Sequence, residues 1–300
     1  MISPARRGWS VGLAVAGLLL AQDTRPVFRS SVTAVAVNVS VRDGNVPVTT
    51  LGPDDFTVRD NGVAQTVLEV QREAVPIDVT LIVDVSGSTH RAHDVQWRDT
   101  QGMAALLRPT DTIRILTIGT LVDEVLPPHA APATVAPPTV GRENSAVYDA
   151  LAAALLRHPD PGRRRLVVAM TDGGDNVSVV SAETVAMIAK QTDAVLQLIL
   201  IPIPAGPPPP AGFQGAPTFM HRPADLGLLS AAALATGGGS RAFAGDPVPE
   251  FQAVFDQFRQ GYVVRYSPSG VAPTGWHVLQ VDVHGPRPYT VQARSGYFGG

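Results

Sequence analysis

The 300-residue chain contains no cysteine. That absence removes disulfides, thiol nucleophiles, cysteine-ligated zinc and iron–sulfur clusters together. Lysine is nearly missing as well: Lys190 is the single copy, so any lysine-dependent chemistry has one position to use. Neither sign of charge dominates, with 26 acids against 23 bases and a formal net charge of −3. No basic excess points to nucleic acid, and no acidic tail stands out. Charged residues are only 16% of the chain while hydrophobic ones reach 45%. That balance builds a core and excludes disorder along the whole length. Glycine (28) and proline (27) are plentiful, so some segments must be loops.

Long apolar runs are also scarce. The one that stands out is in residues 1–21, MISPARRGWSVGLAVAGLLLA, where Arg6 and Arg7 precede an apolar stretch from Trp9 to Ala21. At about 13 residues it is short for a membrane span and the right length for the apolar region of a signal peptide. The pattern predicts an exported protein, periplasmic or secreted, with 1–21 a signal peptide or an N-terminal anchor. Membrane contact would come through that segment alone. Without cysteine there is no site for a lipoprotein anchor.

The remainder of the chain divides into three parts. Residues 27–73 form a β segment: Val32, Ala34, Val37, Val39 and Val41 alternate with other residues, and Asn61-Gly62 is a strong hairpin signal. Residues 76–261 change pattern. Ile77 to Val85 (IDVTLIVDV) is a near-continuous β-branched run, as in a parallel strand buried on both faces. Further strands are predicted at 111–119, 164–171, 194–203 and 240–244. Helical periods fall at 90–107, 145–157, 181–191, 224–235 and 248–260, the last with Phe251, Val254, Phe255 and Phe258 on one face. Segment 127–141 reads as a proline-spotted connection and 206–223 as a loop. Residues 262–298 return to strands at 262–266, 276–283 and 289–293. The fold class is therefore α/β, a doubly wound, mostly parallel sheet with flanking β segments that can pair into a small sandwich. Trp276, Tyr289, Tyr297 and Phe298 would then be mostly core.

One oxygen-rich cluster carries chemistry. Asp84-Val-Ser86-Gly-Ser88 stands at the carboxyl end of the Ile77–Val85 strand, where open α/β sheets bind ligands. A carboxylate and two hydroxyls on a tight turn suit a hard divalent cation. Asp172 follows the 164–171 strand at an equivalent place, and Ser145 opens a helix between them in sequence. Each motif alone also has a plain structural explanation, a serine cap or an aspartate turn.

Asp-x-Ser-x-Ser, a later hydroxyl at a helix start and Thr-Asp-Gly after the central strand together resemble the metal-ion-dependent adhesion site of von Willebrand factor type A domains. The resemblance covers about residues 76–261. The flanks resemble one bacterial exported subfamily through Leu51-Gly-Pro-Asp-Asp-Phe56, Asp60-Asn-Gly, Gln65 and a closing Gly296-Tyr-Phe298. The resemblance implies a non-enzymatic, adhesive protein-binding module. Ser86, Ser88 and Ser145 would bind Mg²⁺ (Mn²⁺ and Ca²⁺ being alternatives) directly, with Asp84 and Asp172 acting mainly through waters. The remaining coordination position would take an Asp or Glu carboxylate from a partner protein. The family usually has threonine at Ser145.

Two alternatives compete. Asp84-Val-Ser-Gly-Ser-Thr89 also resembles the haloacid-dehalogenase phosphatase motif, with Asp172 and Asp175 as a second acidic pair. Ser86 stands there in place of the general acid, and Lys190 follows the acidic pair where the motif needs a lysine before it. Alternatively, the β flanks bind and the α/β part is scaffold. His90 and His93, Arg163 to Arg165 and the proline run 207–210 fit a solvated helix start, a solvated strand start and a stiff loop.

Overall fold

In the computed structural model of the chain, the described residues are 34–44, 46–72, 76–89, 93–131, 133–134, 136, 144–158, 162–201, 225–242 and 248–299. The segment 1–21, His90 and the proline run 207–210 lie outside them.

The first strands are β1 (Val35–Asp43), β2 (Val46–Pro47), β3 (Phe56–Asp60), β4 (Val63–Gln65) and β5 (Val67–Gln71), with a 3-10 turn at Pro53–Asp55 before β3. Alternation in β1 puts Val37, Val39 and Val41 in a core. At the β3–β4 turn Asn61 and Gly62 take φ of 47° and 81°. Positive φ at both central residues matches the right-handed twist of the flanking strands, and Asn-Gly accepts it at little cost.

The central sheet begins at β6 (Ile77–Asp84), buried at all positions. Then come α1 (His93–Ala105), β7 (Thr112–Ile118), β8 (Val122–Ala130), α2 (Val147–Leu156), β9 (Arg164–Thr171), α3 (Ala182–Gln191), β10 (Val195–Leu200), α4 (Leu226–Ala235), β11 (Gly239–Ala242) and α5 (Val248–Arg259). The strand order is β11-β10-β9-β6-β7-β8, parallel except for β8 against β7. Ile77, Val79, Leu81 and Val83 point to one face, where α1 and α5 pack with Trp97, Met103, Phe251, Phe255 and Phe258. Ile82 and its neighbours on adjoining strands point to the other, under α2, α3 and α4. The doubly wound α/β expectation is met.

Two local expectations fail. Residues 127–130 belong to β8 rather than to a connection. Pro127 and Pro128 are tolerated because β8 is an edge strand with register shifts against β7, so no ladder needs their missing N–H. The arginine run is not a solvated strand start either. Arg165 is buried, donating to Asp193 Oδ1 (2.7 Å) and to the carbonyl of Ala154 (2.9 Å), while Arg164 lies over the Phe258 ring.

The chain closes with β12 (Tyr262–Tyr266), β13 (Gly275–Val283), β14 (Thr290–Ala293) and β15 (Gly296–Gly299). These interleave with the first strands into two sheets, β14-β1-β12-β5 (with β2 paired to β1) and β15-β13-β3-β4. Val37, Val39, Phe56, Val58, Val264 and Leu279 fill the space between them, so the flanks do form a small sandwich. Two aromatics expected in its core sit elsewhere. Phe298 is 51% exposed, and Trp276 lies over Gly296, where a Cβ would fall 2.4 Å from the indole. Covering a glycine of an edge strand is the work of an aromatic neighbour there.

Candidate metal centre

The sheet order reverses direction between β6 and β9. From β6 the chain moves to β7 and β8 on one side, and from β9 to β10 and β11 on the other. At such a switch point the loops leave in opposite directions and open a crevice at the carboxyl ends of the two strands. Asp84 ends β6 and Asp172 follows β9, so the fold puts both carboxylates at that crevice.

Asp84 is wholly buried and both its oxygens are engaged. Oδ1 accepts from the Ser86 N–H (3.0 Å) and Oδ2 from the Thr171 hydroxyl (2.6 Å). Thr171 is held in turn by the Gly173 N–H, which donates to its Oγ1 (2.9 Å). Burial pushes the Asp84 carboxyl up to about 6; hydrogen bonds from Ser86 and Thr171 oppose the rise and the charge of Asp172 adds to it. The Thr89 hydroxyl folds the loop back by donating to the carbonyls of Asp84 (2.8 Å) and Ser86 (3.1 Å). The hydroxyls of Ser86 and Ser88 lie 3.2 Å apart.

Asp172 uses one oxygen for its turn: Oδ1 accepts from the Gly174 N–H (2.8 Å). Its Oδ2 is buried with no partner among the described residues. A turn thus accounts for only half of the side chain. Ser145 precedes α2 and is fixed by its backbone. Its N–H donates to Asn176 Oδ1 (2.8 Å), its carbonyl accepts from the Asn176 N–H (3.0 Å), and the next N–H, of Ala146, donates to the Gly119 carbonyl after β7 (3.0 Å). The Ser145 hydroxyl is buried and likewise has no partner among the described residues. Backbone bonds thus tie the loops after β7 and β9 to Ser145, and the Val85 N–H bonds the Ile118 carbonyl (3.0 Å) to join the loop after β6.

The five expected residues therefore share one end of the sheet. Buried, unpartnered oxygens are uncommon because each forfeits its hydration. Two of them lie on loops at the end of the sheet that also carries the Ser86 and Ser88 hydroxyls, and donors of this kind, hydroxyls and carboxylates, suit a hard cation with retained waters. Among the described residues no group of three or more His, Asp or Glu side chains could hold a metal. The set offers hydroxyls where such a group would have acids.

The roles of several supporting residues are not evident from the sequence. Thr171 orients Asp84, and Asn176 fixes Ser145. Asp175 would be the second acid of the phosphatase alternative, but reads more simply from the sequence as a loop carboxylate behind the site; it is buried and accepts from the Tyr148 N–H in the first turn of α2 (3.1 Å). Asp149 answers across the same seam, accepting from the Val179 and Val180 N–H groups (3.0 Å each). Position next to Asp172 is the available signal for Thr171. Nothing local marks Asn176, whose role depends on a contact 31 residues away.

No family model matches the chain, and no curated protein matches it either. Among solved structures, it is similar to the conserved hypothetical protein BatB from Bacteroides thetaiotaomicron at 14% identity, over 60% of this chain and 98% of that one, with a TM-score of 0.43. It is similar to the manganese-loaded TRAP protein of Plasmodium vivax at 17% identity, over 81% and 99%, with a TM-score of 0.40. Von Willebrand factor type A proteins are among these likenesses: that from Catenulispora acidiphila shares 9% identity over 90% of this chain and 75% of its own, with a TM-score of 0.47.

Proposed function

We propose that this chain is a von Willebrand factor type A-like module that binds a protein partner through a divalent cation. The observation that carries the proposal is that Ser145 Oγ and Asp172 Oδ2 are buried with no partner among the described residues, on hydrogen-bonded loops at the sheet's switch point. Ser86, Ser88 and Ser145 would hold Mg²⁺ or Mn²⁺ directly, with Asp84 and Asp172 behind them. A cation held there would supply a charge that hydroxyls leave only partly neutralised, suited to an Asp or Glu carboxylate of a partner. The protein's own work is positioning. Thr171 and the Ser86 N–H fix Asp84, and Asn176 fixes the loop that presents Ser145.

The arrangement favours a binding module over a phosphatase. A nucleophilic aspartate needs a free, reachable oxygen, whereas Asp84 is wholly buried with both oxygens bonded. An exported location rests on the composition of residues 1–21. Among the described residues no helix is long and apolar enough to cross a membrane.

Ser145→Ala tests the site without disturbing Asp84. Thermal melts of wild type should rise with millimolar Mg²⁺ or Mn²⁺. The variant should need about tenfold more metal for the same rise, roughly one lost metal–oxygen contact. Its metal-free melt should equal or slightly exceed that of wild type, because the hydroxyl removed is buried with no partner among the described residues. An unchanged metal response would exclude Ser145 from the site.

A further inference from the structure

Val179 and Leu121 are the two most exposed large apolar side chains among the described residues, at 94% and 71%. Both stand on loops bordering the candidate metal centre. Leu121 closes the turn after β7: the Gly119 N–H donates to the Leu121 carbonyl (3.0 Å), and the Gly119 carbonyl accepts from Ala146, next to Ser145. Val179 lies on the loop after β9 that also carries Asp172 and Asn176, and its N–H is fixed to Asp149 in the first turn of α2. Single exposed aliphatics are ordinary on protein surfaces. Here both extremes lie on loops whose backbone is hydrogen-bonded to the segment that begins at Ser145, Leu121 through Gly119 to Ala146 and Val179 to Asp149.

We propose that Leu121 and Val179 form the apolar flank of the partner-binding surface, so that the segment recognised is a carboxylate with aliphatic or aromatic side chains beside it. This rests on the metal-mediated function proposed above. A cation attracts any exposed Asp or Glu, and so discriminates poorly among acidic surfaces. Apolar contacts beside it add selectivity, because an acid in a purely polar surrounding leaves both side chains in water. Each contact adds about fivefold to tenfold in affinity, the effect of burying a few methyl-sized groups.

The test is selection from a displayed library of short random peptides on the immobilised full chain in millimolar Mn²⁺, with elution by EDTA. Wild type should enrich an Asp or Glu with Leu, Ile, Val or Phe within two or three positions. A Leu121→Ser/Val179→Ser double variant, both changes being at exposed positions, should still enrich the acid but lose the apolar preference. Synthetic copies of the wild-type winners should bind the double variant at least tenfold more weakly. Acid enrichment without apolar neighbours on wild type, or an apolar preference surviving in the variant, overturns the flank and leaves the metal site standing. Failure to enrich acids, or binding that EDTA does not reverse, overturns both.

Discussion

Replacing Asp60 by alanine is expected to cost about 3–5 kcal/mol of stability, close to the whole margin of many domains. Asp60 ends β3 and is wholly buried inside the sandwich. Its Oδ1 faces His277 Nδ1 on β13 (2.7 Å), and its Oδ2 accepts from the hydroxyls of Tyr266 on β12 and Tyr297 on β15 (2.9 Å each). One carboxylate thereby joins four strands, whose contacts span 206 to 237 residues of sequence. Alanine would strand two hydroxyls and a ring nitrogen in a closed core, each losing its partner with no water to replace it. Burial and the hydrogen bond to Asp60 hold the Tyr266 hydroxyl above the usual tyrosine range, so it stays a neutral donor at any ordinary pH. Urea unfolding is the measurement. An exposed control on the same sheet, Gln280→Ala, should change stability by less than about 0.5 kcal/mol. A loss below about 1 kcal/mol for Asp60→Ala would mean that the four strands are joined by their apolar core alone.

Asp84→Asn is expected to do the opposite in metal-free buffer. The carboxyl titrates at about 6 in the folded chain against 3.8 for the ordinary group. Between those values the native state holds more protons than the unfolded one, so stability falls as pH rises through the window. Above pH 6 the full penalty is present, about 3 kcal/mol for a gap of roughly two pH units between the folded and unfolded titrations. Below about pH 4 it is gone. Asparagine cannot ionise, so the variant should lack this pH dependence and be more stable than wild type at pH 7 by about 1–3 kcal/mol, allowing for one imperfect hydrogen bond. Metal should reverse the ranking, since a cation stabilises only the ionised wild type. Denaturation at pH 4.5 and 7.5, with and without Mg²⁺, checks both halves. A metal-free variant less stable than wild type at pH 7.5 would refute the burial penalty.

Much of the fold and of the candidate site is legible in the sequence, and the limits have physical causes. The Ile77–Asp84 run announces a central strand because a parallel strand buried on both faces has no polar alternation to disguise it. Asp84, Ser86, Ser88 and Asp172 can be grouped because strand ends meet at one rim of a parallel sheet whatever the strand order. The order itself, and hence the switch point between β6 and β9, is a property of tertiary pairing. Strand β8 is hidden because its prolines are a breaker signal, and only an edge position makes them harmless. Asp60 stands in a turn motif locally, but its role depends on His277 and Tyr297, more than 200 residues away. Phe298 misleads because aromatic residues are usually core, while its strand presents that position outward.

The loops after β6 and β9 and the Ser145 turn are proposed to hold one divalent cation. Calorimetric titration of Mg²⁺ into the metal-free chain at pH 7.5 tests this most directly, with Asp84→Ala alongside. Wild type should bind one ion in the micromolar-to-millimolar range and Asp84→Ala none. No heat from folded wild type at millimolar Mg²⁺ or Mn²⁺, or equal binding by folded Asp84→Ala, would contradict it.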